Sequence, residues 1–258
     1  MKIIHYSIDD VILVFEQLTK VHPKSIFDIS FFSFLRNLHL QYGVKVSCYC
    51  FYRRNNFSLK KCTRDYKDEF EENASWLRFG FHGYTGKENY ETQPLSESIR
   101  QYNDFAYDIK EIVGEISIDF FPRIHTFKAS KEFVKYLTCN DVLPVVGLLT
   151  ADDNRVSYSL TSADDQKLRN YNYLERNGLL YLQTTQRFDT LKPFAINKLF
   201  ANSGGQVILF THEWLLNGPS NFKNRVKSLI IKLLMKTVCK YYVGKGYQFA
   251  FPMDIKFN

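Results

Sequence analysis

A chain of 258 residues, 45% hydrophobic and 24% charged, has enough apolar material for one large domain and enough charge to stay in solution. The formal net charge is +7, yet residues 223–245 hold seven basic residues and no acidic one; the remainder is close to balanced, which argues against a nucleic-acid binder. No apolar run is long enough to span a bilayer, and Asp9 and Asp10 interrupt any signal-peptide core, so a cytoplasmic location is expected.

Taken in order, residues 2–10 read as a strand of β-branched and aromatic residues running into the adjacent carboxylates Asp9 and Asp10. Residues 11–25 read as a loop or short helix. Residues 27–42 carry Phe27, Phe31, Phe34, Leu35 and Leu38 at helical spacing, closed by Gly43. A strand is expected at 45–52, a polar loop at 53–59, a helix at 63–73 and a strand at 76–82 that ends in His82. An amphipathic helix at 96–113 follows, then a strand at 116–125 broken by Pro122, then a short helix at 130–139. Residues 142–149 form an apolar run typical of a strand buried on both faces. Residues 156–160 and 179–185 suggest a hairpin. A helix at 192–201, a buried strand at 206–210, a basic helix at 224–242 and a strand at 247–251 complete the chain.

Alternating strands and helices imply a parallel sheet with helices outside. About seven or eight such units in this length predict an α/β protein: one domain over 1–258, a distorted or incomplete (β/α) barrel. No glycine-rich phosphate loop follows the first strand, which disfavours a dinucleotide-binding sheet. The five cysteines lack metal-type spacing and read as reduced thiols; Cys48 and Cys50, two apart on one strand face, have poor disulfide geometry.

In a parallel barrel the C-terminal strand ends open on one face. Asp9 and Asp10, His82, Arg123 and His125, Asp152 and Asp153, and His212 and Glu213 all fall at or just after such ends. His5, His22 and His39 do not, and receive no role. Imidazole with carboxylate is a ligand set for a divalent metal, zinc first, with nickel, cobalt, iron or magnesium also compatible. A neighbouring carboxylate can take a water proton and a histidine opposite can protonate a leaving group. That is a plan for hydrolysing an amide or ester.

Ser7-Ile8-Asp9-Asp10 resembles the T-F-D-D motif of NodB-type polysaccharide deacetylases, and Phe210-Thr211-His212 resembles their late L-T-H motif. These are metal-dependent carbohydrate esterases on an incomplete barrel. The resemblance implies Asp9 as base, Asp10 as metal ligand, His212 as acid and Arg123 as the arginine that orients the base. The family's second motif, H-S/T-x-x-H, is here His82-Gly-Tyr-Thr-Gly86, with glycine in place of the second histidine. His125 is the expected third ligand, a distribution similar to that of YdjC-type carbohydrate deacetylases. Arg187 and Asp189 stand roughly at the family's fourth motif. Trp76, Trp214, Asp152, Asp153 and Glu213 are expected to contact the sugar, against the plainer readings of core packing for the tryptophans and turn capping for Asp152 and Asp153.

The expected activity is deacetylation of an N- or O-acetylated sugar or glycan precursor. Two rivals stand beside it: a glycoside hydrolase pairing Asp9 or Asp10 with Glu213, and a non-catalytic glycan-binding barrel. For helix 224–242, the spacing predicts Val226, Leu229, Ile230, Leu233 and Val238 packed on the barrel. Lys223, Arg225, Lys227, Lys232, Lys236 and Lys240 then face outward, either solvated or against an anionic membrane or lipid-linked glycan carrier.

Overall fold

The computed structural model describes residues 2–189, 193–201, 205–217 and 222–255, with only the backbone described for 193–195. The first strand, β1 (Ile3–Val11), is central and leads into α1 (Leu13–Val21) and α2 (Ser30–Tyr42). β2 (Val46–Phe51) follows, then a small hairpin, β3 (Arg53–Arg54) and β4 (Phe57–Ser58), in the stretch read as loop. α3 (Lys67–Glu72), β5 (Leu77–Gly83), α4 (Leu95–Val113) and α5 (Lys131–Cys139) come next, near their expected places. β6 (Gly147–Thr150), α6 (Ser162–Tyr171), β7 (Tyr173–Arg176), β8 (Leu179–Gln183) and β9 (Gln186–Arg187) form the middle of the chain. α7 (Pro193–Lys198), β10 (Gln206–His212), α8 (Glu213–Leu216), α9 (Phe222–Gly244) and β11 (Gln248–Phe249) end it. Lys192, the expected start of α7, lies outside the described residues.

The main sheet runs β5-β2-β1-β10-β9 with every pair parallel, and β11 adds to the start of β1. A second sheet, β6-β8-β7, pairs β6 and β8 in parallel. Two segments join the sheets. On one side residues 117–123 link β5 to β6 by single bonds: Asp119 N–H to the Phe79 carbonyl, and the Val146 and Leu149 N–H groups to the Phe120 and Pro122 carbonyls. On the other, the run from β8 into β9 pairs first with β6 and then with β10. The result is a distorted (β/α) barrel without a regular closed ladder.

Burial follows this plan. One large apolar layer lies between strands and helices, and includes Ile4, Tyr6 and Ile8 of β1. A smaller cluster fills the barrel interior with Ile3, Tyr49, Leu149, Leu182 and Ile208 from five strands and Phe121 from the segment that joins β5 to β6. Sheets covered on both faces need such near-continuous apolar strands. Cys48, Cys50, Cys62 and Cys239 are buried free thiols and Cys139 is an exposed one.

Several expectations fail for local reasons. Residues 116–125 form no regular strand, because Pro122 lacks an N–H and Asp119 Oδ1 takes the N–H of Phe121. Of the run 142–149, only 147–149 enters a strand; the Asn140 side chain accepts from the N–H groups of Val142 and Leu143, tying these residues to α5. The hairpin is formed by β7 and β8 around Asn177-Gly178, both at positive φ, and not by 156–160, where Tyr158 and Ser159 are left-handed. α6 has no counterpart among the expected elements, although Thr161 and Asp164 form a capping box at its start.

Helix α9 is turned by about half a revolution from its expected setting. Its buried face is Ser228, Ile231, Met235, Val238, Cys239 and Tyr242, whereas Val226, Leu229, Ile230 and Leu233 are exposed. The buried face is the one fixed by polar anchors: the Tyr6 hydroxyl donates to the Met235 carbonyl, and the Tyr242 hydroxyl to the Leu199 carbonyl.

The junction of β1 and α1 is secured by Glu213, which is fully buried. Its Oε2 accepts from the N–H groups of Ile12 and Leu13 at 2.8 and 2.7 Å, and its Oε1 from Val14 at 2.6 Å and from Asn217 Nδ2 at 3.0 Å. Ile12 offers no capping side chain, so a residue two hundred positions away caps this helix. Removing the acceptor strands buried donors. Glu213→Ala should therefore cost about 3 kcal/mol or more in urea unfolding; a loss under about 1 kcal/mol would show that water replaces the cap.

Candidate active site

In a regular strand Ser7 and Asp9 share the interior face of β1 while Ile8 and Asp10 face the helices. Asp10 departs from that alternation: its φ is 61°, and the register with β2 shifts between Ile8 and Val11. Aspartate tolerates this left-handed conformation better than most residues. The kink turns both carboxylates towards the mouth of the barrel. β5 has a second register shift opposite Phe51, with His82 as its extra residue.

Asp9 is buried and bound to a fully buried Arg123. Arg123 Nη1 donates to Asp9 Oδ1 at 2.8 Å and to Ser7 Oγ at 2.8 Å, and Nη2 donates to Thr184 Oγ1 at 3.1 Å. The guanidinium lies 4.3 Å from the ring centre of Phe210. A buried ion pair needs this many partners to offset its desolvation.

Asp10 meets two histidines. His82 Nε2 is 3.3 Å from Asp10 Oδ1, and His82 Nδ1 is bonded to the Arg123 carbonyl. The carbonyl can only accept, so Nδ1 carries a hydrogen and Nε2 is the ring nitrogen turned towards Asp10. His125 sits at a tight turn in which Thr126 and Phe127 have φ near 60°. One ligand atom each from Asp10, His82 and His125 lies within 4.8 Å of the others. Asp10 Oδ1 and His125 Nδ1 are buried without a hydrogen-bond partner. Burial and the neighbouring His82 push the His125 pKa down to about 4, which leaves the imidazole neutral. For Asp10, burial acts to raise the pKa, but the contact with His82 and the charges of the surrounding histidines hold it below the usual carboxylate value. Two imidazole nitrogens and a carboxylate oxygen form a donor set that fits a divalent cation.

Gly86 stands where the resemblance would put a second histidine. Its φ is +82°, and a Cβ there would approach the Phe51 ring to 2.7 Å. Phe51 packs against both His82 and His125, at ring-centre distances of 5.0 and 5.3 Å. Phe51 fills the space a histidine at 86 would need, and His125 supplies the imidazole from the next segment.

His212, the last residue of β10, is the register partner of Asp9 on the neighbouring strand. Its Nδ1 is 2.5 Å from Asp189 Oδ2, and Asp189 Oδ1 accepts from Thr211 Oγ1 at 2.9 Å. Burial acts to lower the His212 pKa, but the Asp189 contact and the charges of Asp189, Asp9 and Asp10 raise it above the ordinary 6.5. In the sequence Asp189 falls near the family's fourth motif with no role attached; its pairing with His212 depends on β9 lying beside β10. Thr184 and Phe51 carry no signal of this kind in the sequence.

The expected sugar contacts divide. Trp214 is partly exposed, with its ring 5.8 Å from that of His212 and 30° from parallel. Asp152 is held above its usual pKa by burial, against the charges of Arg187 and Arg123. Three others do not belong there. Trp76 precedes β5, at the opposite end of the strand from His82, and stacks on His39. Asp153 is tied to Arg155, accepting from its backbone N–H and guanidinium, in an exposed turn. Glu213 is committed to capping α1, which also removes it as half of a glycosidase carboxylate pair.

No protein-family model matches the sequence, and no curated protein matches it. Solved structures do. The chain is similar to the Xyl-CE4 domain of a multidomain xylanase from the hindgut metagenome of Trinervitermes trinervoides, with 13% identity and a TM-score of 0.53 over 98% of this chain and 88% of that one. It is similar to a family 4 acetyl xylan esterase from Clostridium thermocellum in complex with cobalt, with 11% identity and a TM-score of 0.52 over 98% and 89%. A CE4 family pseudoenzyme from Bacillus anthracis matches with 12% identity and a TM-score of 0.52, over 98% of this chain and 64% of that one. The chain has the fold of these carbohydrate esterases, as its resemblance to NodB-type deacetylases implies.

The Gly86 geometry is directly testable. Gly86→His should not strengthen zinc binding in calorimetric titration. It should lower stability by about 1–3 kcal/mol, through the left-handed backbone and the collision with Phe51. Tighter metal binding without loss of stability would contradict the geometry.

Proposed function

We propose that the chain is a metal-dependent hydrolase that removes an acetyl group from an N- or O-acetylated sugar or glycan precursor. One observation carries this reading: the kink at Asp10 gives two adjacent carboxylates different partners, Asp9 to Arg123 and Asp10 to His82. Asp10, His82 and His125 would hold the ion. When bound, a divalent cation supplies Lewis acidity, polarising a carbonyl oxygen and acidifying water.

The remaining chemistry falls to the chain itself. Arg123 engages Oδ1 of Asp9, which leaves the other oxygen to take a proton from the attacking water. The new C–O bond makes the acetyl carbon tetrahedral. His212, protonated and steadied by Asp189, gives its proton to the departing nitrogen or sugar oxygen as the bond to the acetyl carbon breaks. Acetate and the free amine or hydroxyl leave. Trp214 offers an apolar face beside His212 for a sugar ring.

The test is acetate release from acetylated chito- and xylo-oligosaccharides by zinc-reconstituted protein. Asp9→Asn should reduce the rate by about 10²–10⁴-fold with metal content and folding unchanged. His125→Ala should lose both metal and rate. Full activity in Asp9→Asn would refute the base assignment. A second reading, a barrel that binds glycan without turnover, gains from the glycine at position 86 and from the likeness to a pseudoenzyme. Metal and glycan binding by the unaltered chain without acetate release would establish it.

The pH dependence tests the acid. A donor must be protonated, so the rate should fall as pH rises through the elevated His212 pKa. Asp189→Asn removes the charge that raises it, and the alkaline limb of the profile should move to lower pH. An unmoved alkaline limb would show that His212 is not the proton donor.

A further inference from the structure

Helix α9 has two apolar faces, and only one is used. Ser228, Ile231, Met235, Val238, Cys239 and Tyr242 pack inward. At roughly 100° per residue, Phe222, Val226, Leu229, Ile230 and Leu233 fall on one stripe on the opposite side. All five are exposed, Phe222 by 82%, Leu229 by 68% and Leu233 by 66%. They recur at i, i+4, i+7, i+8 and i+11, the spacing of a helix face meant for burial. The basic residues flank this stripe. Lys223 and Lys227 lie along one side and Arg225 and Lys236 along the other, Lys240 continues the stripe's own line, and Lys232 is half-buried with its ammonium 5.4 Å from the Phe34 ring centre. The helix carries no acidic residue.

From this arrangement we infer that the outward face of α9 docks on an anionic lipid surface. An apolar stripe bordered by cations on both sides suits the boundary between acyl chains and negative headgroups, with the stripe inserted and the cations at headgroup level. Self-association fits less well, since a second copy would bring two uniformly basic helix faces together. No helix among the described residues is long and apolar enough to cross a membrane, so the contact is one of lying on the surface. Lys227 Nζ stands 5.3 Å from the Trp214 ring centre, and Trp214 neighbours His212. Docking through α9 would therefore hold the mouth of the barrel near the bilayer plane.

The experiment is co-sedimentation of the full chain with phosphatidylglycerol-containing vesicles and with pure phosphatidylcholine vesicles, at low and high salt. Binding should be confined to the anionic vesicles and should fall steeply with salt. Changing Lys223, Arg225, Lys236 and Lys240 to glutamine should weaken it by about fivefold per charge removed. Leu229→Gln with Leu233→Gln should weaken it with every charge retained, which simple counterion attraction would not produce. These side chains are exposed, so both variants should melt at the parent temperature. Equal, negligible binding to the two vesicle types overturns the inference. So does anionic binding that neither set of substitutions changes, or a lipid-free dimer in sedimentation velocity that the leucine variant dissociates.

Discussion

The departure of β1 from regular alternation at Asp10 is the constraint on which the site depends. Two successive residues of a strand face opposite sides of the sheet, so a regular β1 would bury one carboxylate in the barrel and drive the other into the helix layer. A left-handed residue at the second position relieves this. It lets one strand deliver two acids to one opening and assigns them different neighbours. The strain is of the order of 1–3 kcal/mol, and Glu213 steadies the same stretch from the far side by binding the three N–H groups that follow it.

Electrostatic division of labour follows from those neighbours. Arg123 is one of the largest fully buried side chains of the molecule, and a buried guanidinium without a carboxylate is untenable. Asp9 is therefore part of the structure as well as of the site. His82 is oriented by the backbone carbonyl of that same arginine, so the Asp9 side and the His82 side of the site share one support. His212 is coupled to a separate acid, Asp189, on the other flank. The chain thus keeps the His125 imidazole neutral beside Asp10 and favours the charged form of His212 on the opposite flank.

The layer structure explains how so irregular a barrel holds this arrangement. Residues 117–123 replace a strand by single bonds to either side, and β8 and β9 divide one run between two partners. Both irregular stretches contribute to the site: Arg123 comes from the first, and Thr184 and Asp189 from the second or just beyond it. Regular ladder strands would fix these side chains by a two-residue alternation, whereas broken ones let them turn as their hydrogen bonds require. The basic helix α9 shows the same independence from sequence periodicity. Its sequence offers two apolar faces, and the polar anchors at Met235 and Tyr242 decide which one is packed.

The sequence by itself determined the α/β class and the order of most strands and helices, and it singled out Asp9, Asp10, His82, Arg123, His125 and His212 as candidates. It could do so because apolar periodicity is local and because parallel strands gather their ends on one face. Tertiary structure alone decided the rest. Glu213 stands at a strand end like the others, yet its carboxylate is spent on a helix start two hundred residues away in the chain. Asp153 is turned to an arginine two residues on, and Trp76 lies at the far end of its strand. Asp189 gains its role only from the strand beside it, and Gly86 is explained by the ring of Phe51. Each of these depends on which groups meet across long sequence separations, and hydrogen bonding and burial at such meetings leave no periodic trace in the chain.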